Sequence, residues 1–238
     1  MRQGEPFYIS IPNFEYMCGR FTLAERLQQL QQRYNIHEIP YDYEPSYNIA
    51  PTDAITTVVE DPESGQKQFQ QISWGIPLKI EKLNNLVINI RDDKVLTNGF
   101  FHKMFEGFRC LIPASGFFEW QKSGSSKIPY YIKTTERVVS FAGLYYEIKD
   151  EYYTAIITTQ PNSIVAQLHD RMPVMLFKHE EELWLNPNST QRDLLNVLDP
   201  YPAESTSYYK VSSKINSVRN NSPDLLKPKS TASLSDFF

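Results

Sequence analysis

From Ala54 to Thr159 the chain is a succession of short segments rich in β-branched and aromatic residues, each ended within a few residues by a turn. Such runs make strands dominate. AITTVVE and QFQQISW, separated by the turn at Pro62 to Gly65, read as one hairpin. CLIPASGFFEWQK and IPYYIKT flank the polar turn SGSSK, and VVSFAGLYYEI and YYTAIITT flank a second turn at Lys149 to Glu151, which gives successive antiparallel strands. The expected fold is α+β: a single β-rich domain of mainly antiparallel strands with a few peripheral helices.

Outside this block a helix is expected over TLAERLQQLQQRY, where Thr22 and Glu25 have capping-box spacing and Leu23, Leu27, Leu30 and Tyr34 share a face. Asn162 is placed to cap a short helix through Leu168, two more are expected at Glu180 to Leu185 and Thr190 to Leu198, and YYKVS is a last strand. Beyond Ser222 the composition turns to Ser, Pro and Lys, so residues 223–238 are expected to leave the domain as a flexible tail.

The 238 residues show no internal repeat or low-complexity linker, and 41% hydrophobic with 13% aromatic content supplies one sizeable core. A net charge of −4 opposes nucleic acid at long range, so a DNA site would have to be a local basic groove. Two cysteines, Cys18 and Cys110, make neither a metal spacing nor a disulfide framework; a reducing compartment is expected, with no metal and no cofactor. The leading residues lack the n- and h-regions of a signal peptide and no apolar run is long enough for a bilayer, so a soluble, cytoplasmic monomer without membrane contact is expected.

The polar residues that interrupt apolar strands are Asn89, Arg91, Arg109, Glu119 and, after a helix, His169, Asp170 and Arg171. A buried charge is expensive unless paired, so each needs an account. Glu119, between Phe118 and Trp120, is in a setting that raises a carboxyl pKa and suits it for proton transfer; the alternative is a structural ion pair with Arg109 or Arg91. His169 is either a catalyst or a satisfied structural donor, and Cys18 either a nucleophile or a buried inert thiol.

Taken in order, Met17-Cys18-Gly19-Arg20-Phe21, YNIAPT from Tyr47, WGIP from Trp74, NIR from Asn89, RCLIPASGFFEW from Arg109, FAGLY from Phe141, TTQPN from Thr158 and HDRMPV from His169 resemble the SOS response-associated peptidase (SRAP) family. The resemblance spans about Met17 to Tyr209 and implies a catalytic domain at 17–222. It implies a sensor of abasic sites in single-stranded DNA. Removal of the initiator methionine leaves a cysteine with a free α-amine and a thiol, which capture the sugar aldehyde as an imine and then a thiazolidine crosslink. An α-amine near ~8 is substantially neutral at cytosolic pH where a lysine near ~10.4 is not. Cys18 matches that cysteine, Glu119 and His169 the proton-transfer pair, and Asn89 the residue that positions cysteine and sugar.

By the same resemblance Arg91 and Arg171 hold flanking phosphates, Arg20 and Arg109 extend a basic groove, Trp74 stacks on a base or packs in the core, and Asn48 and Thr159 orient the site. Lyase and autoproteolytic activities, a role in the DNA-damage response, and a nucleoid-associated location when bound, or a nuclear one in a eukaryote, are also implied.

The chain departs from the family in three places. Sixteen residues precede Met17; either translation starts at Met17, the favoured expectation, or the 1–16 extension is removed autoproteolytically. After NIR stand Asp92 and Asp93, where a small residue and a glutamate are usual, and two acids beside Arg91 weaken a phosphate contact unless they face solvent. The tail ends TASLSDFF, whose Leu234, Phe237 and Phe238 fall on one side of a helical turn and suggest a sliding-clamp contact. Two other functions compete: a cysteine peptidase using Cys18 with His169 and Glu119, and a non-catalytic single-strand binding module.

Overall fold

Runs of β-branched and aromatic residues decide the centre of the molecule. In a computed structural model that describes residues 18–61, 64–80, 83–124 and 126–229, the apolar segments pair as hairpins. The strands are β1 (Phe21–Leu23), β2 (Ser46–Ile49), β3 (Ala54–Glu60), β4 (Lys67–Trp74), β5 (Ile76–Ile80), β6 (Leu83–Val87), β7 (Asn89–Arg91) and β8 (Arg109–Ala114). They continue as β9 (Gly116–Ser123), β10 (Ser126–Thr134), β11 (Val139–Ile148), β12 (Glu151–Thr159), β13 (Met172–Pro173), β14 (Met175–Leu176) and β15 (Thr206–Lys210). Helices α1 (Leu27–Tyr34), α2 (Gly99–Gly107), α3 (Lys178–Leu185) and α4 (Gln191–Asn196) lie around them.

The hairpins β3–β4, β9–β10 and β11–β12 are the antiparallel pairs the turns called for. In one sheet β12 pairs with β4, β4 with β3, β3 with β8, β8 with β11, and β11 with β12 again, so five strands close into a ring. Closure removes the exposed edges that would otherwise invite intermolecular pairing. Strands β7 and β13 add to β12, and β14 to β11. Only β12–β4 and β12–β7 are parallel among the described pairs. A second sheet runs β15-β10-β9-β1-β2, and β5–β6 forms a separate two-stranded unit.

The main core is aromatic. Phe21 meets Trp74 edge-to-face with centroids 5.1 Å apart and Phe141 at 5.8 Å, and Phe117 meets Phe141 at 6.1 Å; each fully buried side chain of this size contributes about 1.5–3 kcal/mol. The other face of the second sheet has its own cluster of Phe118, Tyr131, Val211, Ile215 and Leu225. Consecutive residues of β9 therefore point into different cores: Phe117 into the main one, Phe118 into the smaller.

Two expectations are corrected, and one helix was missed. The first helix begins at Leu27, not Thr22: Phe21–Leu23 is a strand paired with β2 and β9, and the buried Thr22 hydroxyl lies 3.1 Å from that of Tyr131. Tertiary pairing overrides the local cap signal, and Gln29 instead accepts from the Arg26 amide at 2.9 Å. Helix α2 was not anticipated; Asn98 Oδ1 caps it by accepting from Phe100 and Phe101 at 3.0 and 3.3 Å. Residues 223–229 do not leave the domain: Leu225 is 2% exposed, Tyr209 donates to the Leu226 carbonyl at 2.7 Å, and the Lys229 amide bonds Lys210 at 2.8 Å. The remaining helices follow the reading, with Thr190 capping α4 and Asn162 Oδ1 accepting from Ile164 and Val165 at the head of a short 3-10 turn. Among the described residues no helix is long and apolar enough to cross a membrane. The 1–16 extension and the Leu234, Phe237, Phe238 clamp contact lie outside the described residues.

Candidate active site

The site forms where β1 and β9 meet the end of β12 and the segments paired with it. Cys18 leads into β1 with φ +44°, a left-handed conformation unusual for a residue with a side chain, and is 2% exposed. Its backbone N–H donates to Glu119 Oε1 at 2.8 Å. The alternation of β9 that sends Phe118 into the small core turns Glu119 the other way, to a position 3% exposed.

Burial pushes the Glu119 carboxyl above the usual carboxylate range, opposed by the His169 charge and by hydrogen bonds from Cys18. Burial, followed by the neighbouring Glu119, pushes the Cys18 thiol well up as well. Burial thus disfavours the charged form of both neighbouring acids, and each opposes ionisation of the other. His169 stands at the rim with its side chain 22% exposed; Nδ1 accepts from the Arg171 amide at 3.2 Å and lies 2.9 Å from Asp170 Oδ1. Asn89 is 6% exposed on β7, in parallel register with Ile156.

Arg171 is nearly enclosed, with 7% of its side chain exposed, and is near enough for its charge to act on the Cys18 thiol. Its Nη2 donates to Asp92 Oδ1 at 2.6 Å and to the Thr158 carbonyl, while Thr159 Oγ1 donates to Asp92 Oδ2 at 2.8 Å. Arg91 is more open and forms a bidentate pair with Asp93, at 2.8 and 3.4 Å. Among the described residues no group of three His, Cys, Asp or Glu side chains is placed to hold a metal.

The structure brings Cys18, Glu119, His169 and Arg171 together, with Asn89, Arg91 and Thr159 on the adjoining strands. Other expected residues are elsewhere. Trp74 is 0% exposed and donates through Nε1 to the Ile88 carbonyl at 2.9 Å, so it packs the core and is corrected as a base-stacking residue. Arg109 is corrected as a groove residue: its guanidinium donates to the carbonyls of Trp184, Phe105, Glu106 and Asn186 at 2.7, 2.7, 2.7 and 2.8 Å, binding the ends of α2 and α3. Neither it nor Arg91 forms the alternative ion pair with Glu119.

Arg20 faces the smaller core. Nη1 donates to Asn48 Oδ1 at 2.6 Å and to the Ile215 carbonyl at 3.0 Å, and its guanidinium lies 5.9 Å from the centre of the Trp120 ring. Asn48 also donates to the carbonyls of Ser217 and Asn220 at 3.0 and 2.7 Å, so it anchors Arg20 and the C-terminal segment. The reading of the sequence assigned no role to Asp92 beyond its departure from pattern; an acid directly after an arginine in NIRD was the available signal.

The family model for SOS response associated peptidase (SRAP) matches residues 17–218. The abasic site processing protein YoqW of Bacillus subtilis is 39% identical over 224 residues, covering 89% of this chain and 99% of the relative. The abasic site processing protein YedK of Escherichia coli is 26% identical and covered over its full length, 89% of this chain matching. A crystal structure of a protein from Bacteroides thetaiotaomicron superposes with a TM-score of 0.73 at 25% identity, covering 89% of this chain and 100% of that one. The chain belongs to the SOS response associated peptidase family.

Proposed function

We propose that this protein processes abasic sites in single-stranded DNA by capturing the ring-opened sugar as a thiazolidine on Cys18. The observation that carries this reading is the 2.8 Å contact between the Cys18 backbone nitrogen and the buried Glu119 carboxyl. A peptidase nucleophile needs only the sulfur; here the nitrogen itself is held against a proton-transfer group. The abasic site processing activity named for the relatives supports the same substrate.

Once residues ahead of Cys18 are removed, its nitrogen is an amine. The amine adds to the C1′ aldehyde, giving a carbinolamine. Glu119, whose protonated form burial favours, gives a proton to the departing hydroxyl, so that water leaves and a protonated imine forms. The resulting carboxylate takes the thiol proton as sulfur adds to the imine carbon and the ring closes. The net change is loss of one water, with no oxidation or reduction. His169, at the rim, serves as acid or base on the sugar oxygen, Asn89 positions cysteine and sugar, and Arg91 and Arg171 contact phosphates on either side. If the imine is instead resolved by loss of the strand's phosphate, the same pair provides lyase chemistry.

The peptidase reading requires a thiolate, and reactive cysteines have lowered pKa values; that of Cys18 is raised. Intact-mass analysis decides the matter. Protein begun at Met17, incubated with a single strand carrying one abasic site, should gain the mass of the strand less one water, and Cys18→Ala should gain nothing. Peptide cleavage by wild type without any adduct would replace this reading with the peptidase one.

A further inference from the structure

Asp92 is held as an oxyanion is usually held. A guanidinium, a hydroxyl and a backbone amide converge on its carboxylate: Arg171 Nη2 at 2.6 Å, Thr159 Oγ1 at 2.8 Å and the Asp93 N–H at 2.9 Å. Phosphate oxygens are bound by the same three kinds of donor. The carboxylate is the more open partner, 23% exposed against 7% for Arg171. Arg171 Nε is buried and makes no hydrogen bond to any described residue. An enclosed cation with an unused donor has capacity for an anion beyond the one it holds. Arg91 is treated alike, its fork closed by Asp93.

We propose that Asp92 occupies, in the unbound protein, the seat that a DNA phosphate takes in the bound one, and that it is a specificity-determining residue against intact DNA. The inference rests on the abasic-site reading given above. A strand must displace the carboxylate to reach Arg171 and Thr159, so non-covalent affinity is low for any sequence. Covalent capture at Cys18 then retains only strands that present an aldehyde. The net charge of −4 acts in the same direction.

The test compares wild type, Asp92→Asn and Asp92→Ser, all begun at Met17, for binding of an undamaged fluorescent single strand across a salt series, with adduct formation on an abasic strand followed by intact mass. Both variants should bind the undamaged strand about tenfold more tightly at low salt, with the log–log salt slope steepened by about 0.7 for one further phosphate contact. Discrimination between abasic and undamaged strands should fall accordingly. Equal or weaker binding with an unchanged slope would make Asp92 a structural partner of Arg171 and overturn the proposal. Asp92→Asn keeps the size and a carbonyl acceptor, and so carries the test if Asp92→Ser does not fold. A wild type that forms no adduct rejects the trapping mechanism instead, and the undamaged-strand comparison still decides the role of Asp92.

Discussion

Replacing Arg109 by Met should unfold the protein more easily without touching its chemistry. The residue is buried, 7% of it being exposed, and every hydrogen bond of the guanidinium goes to a main-chain carbonyl. Methionine fills the stem volume but takes the donor from four carbonyls, of which that of Asn186 keeps the Ser189 amide at 3.2 Å. Those of Trp184 and Phe105 are in buried contacts and those of Glu106 and Asn186 in partly buried ones. With about 1.5 kcal/mol for each buried bond to a charged donor and about 0.5 kcal/mol for each solvated one, the loss is about 4 kcal/mol. Part of the gain from losing the desolvation of a buried cation offsets this, so about 3 kcal/mol is expected. For a chain of this length that lowers Tm by about 6–12 °C. Urea unfolding gives the free energy, and intact mass gives adduct yield per folded molecule at a temperature where both proteins are native. A stability loss under about 1 kcal/mol, together with a weakened affinity for single-stranded DNA, would refute the structural assignment and restore Arg109 to the groove.

Glu119→Gln should separate stability from chemistry. A carboxyl whose folded pKa lies above its ordinary 4.5 stabilises the fold most fully below that pH, and the contribution is lost as pH rises through the raised value. Relative to the glutamine variant, wild type should therefore lose stability on going upward from pH 4.5 in parallel urea titrations, while the variant forms adduct about a hundredfold more slowly; a flat difference curve would remove the buried-acid argument. Trp74→Ala should cost about 3–5 kcal/mol, because it opens a cavity against Phe21 and takes the indole N–H from the Ile88 carbonyl, which keeps only the Ile156 amide. Per folded molecule its affinity for single strands should match wild type, and a selective loss of affinity in anisotropy titrations would show that the ring meets DNA after all.

The hairpins were legible because a β-branched run and the turn that ends it are local properties: AITTVVE against QFQQISW needs only its own turn. Glu119 stood out for a related reason, as an acid amid Phe118 and Trp120 where every neighbour demanded burial. What the sequence concealed depends on partners far along the chain. Arg109 looked like a groove arginine because nothing nearby reveals that its acceptors include Trp184 and Asn186. Thr22 had the spacing of a cap, yet pairing of Phe21 with Phe117 took the segment into a sheet. Leu225 was lost in a Ser- and Pro-rich stretch, and only the face of β9 that presents Phe118 shows why a leucine there is buried. The link between Arg171 and Asp92 crosses from one strand edge to another, and no spacing rule predicts it.

Strand β12 has two duties within a few residues. Tyr153 and Thr154 lie beside Ser73 and Trp74, the parallel seam that shuts the ring, and Thr158 and Thr159 grip the Arg171 guanidinium and the Asp92 carboxylate. Parallel seams between segments so distant in the chain form late. An unfinished polypeptide therefore carries Cys18, Glu119 and Arg171 as scattered groups, and they come together only once the whole body has closed.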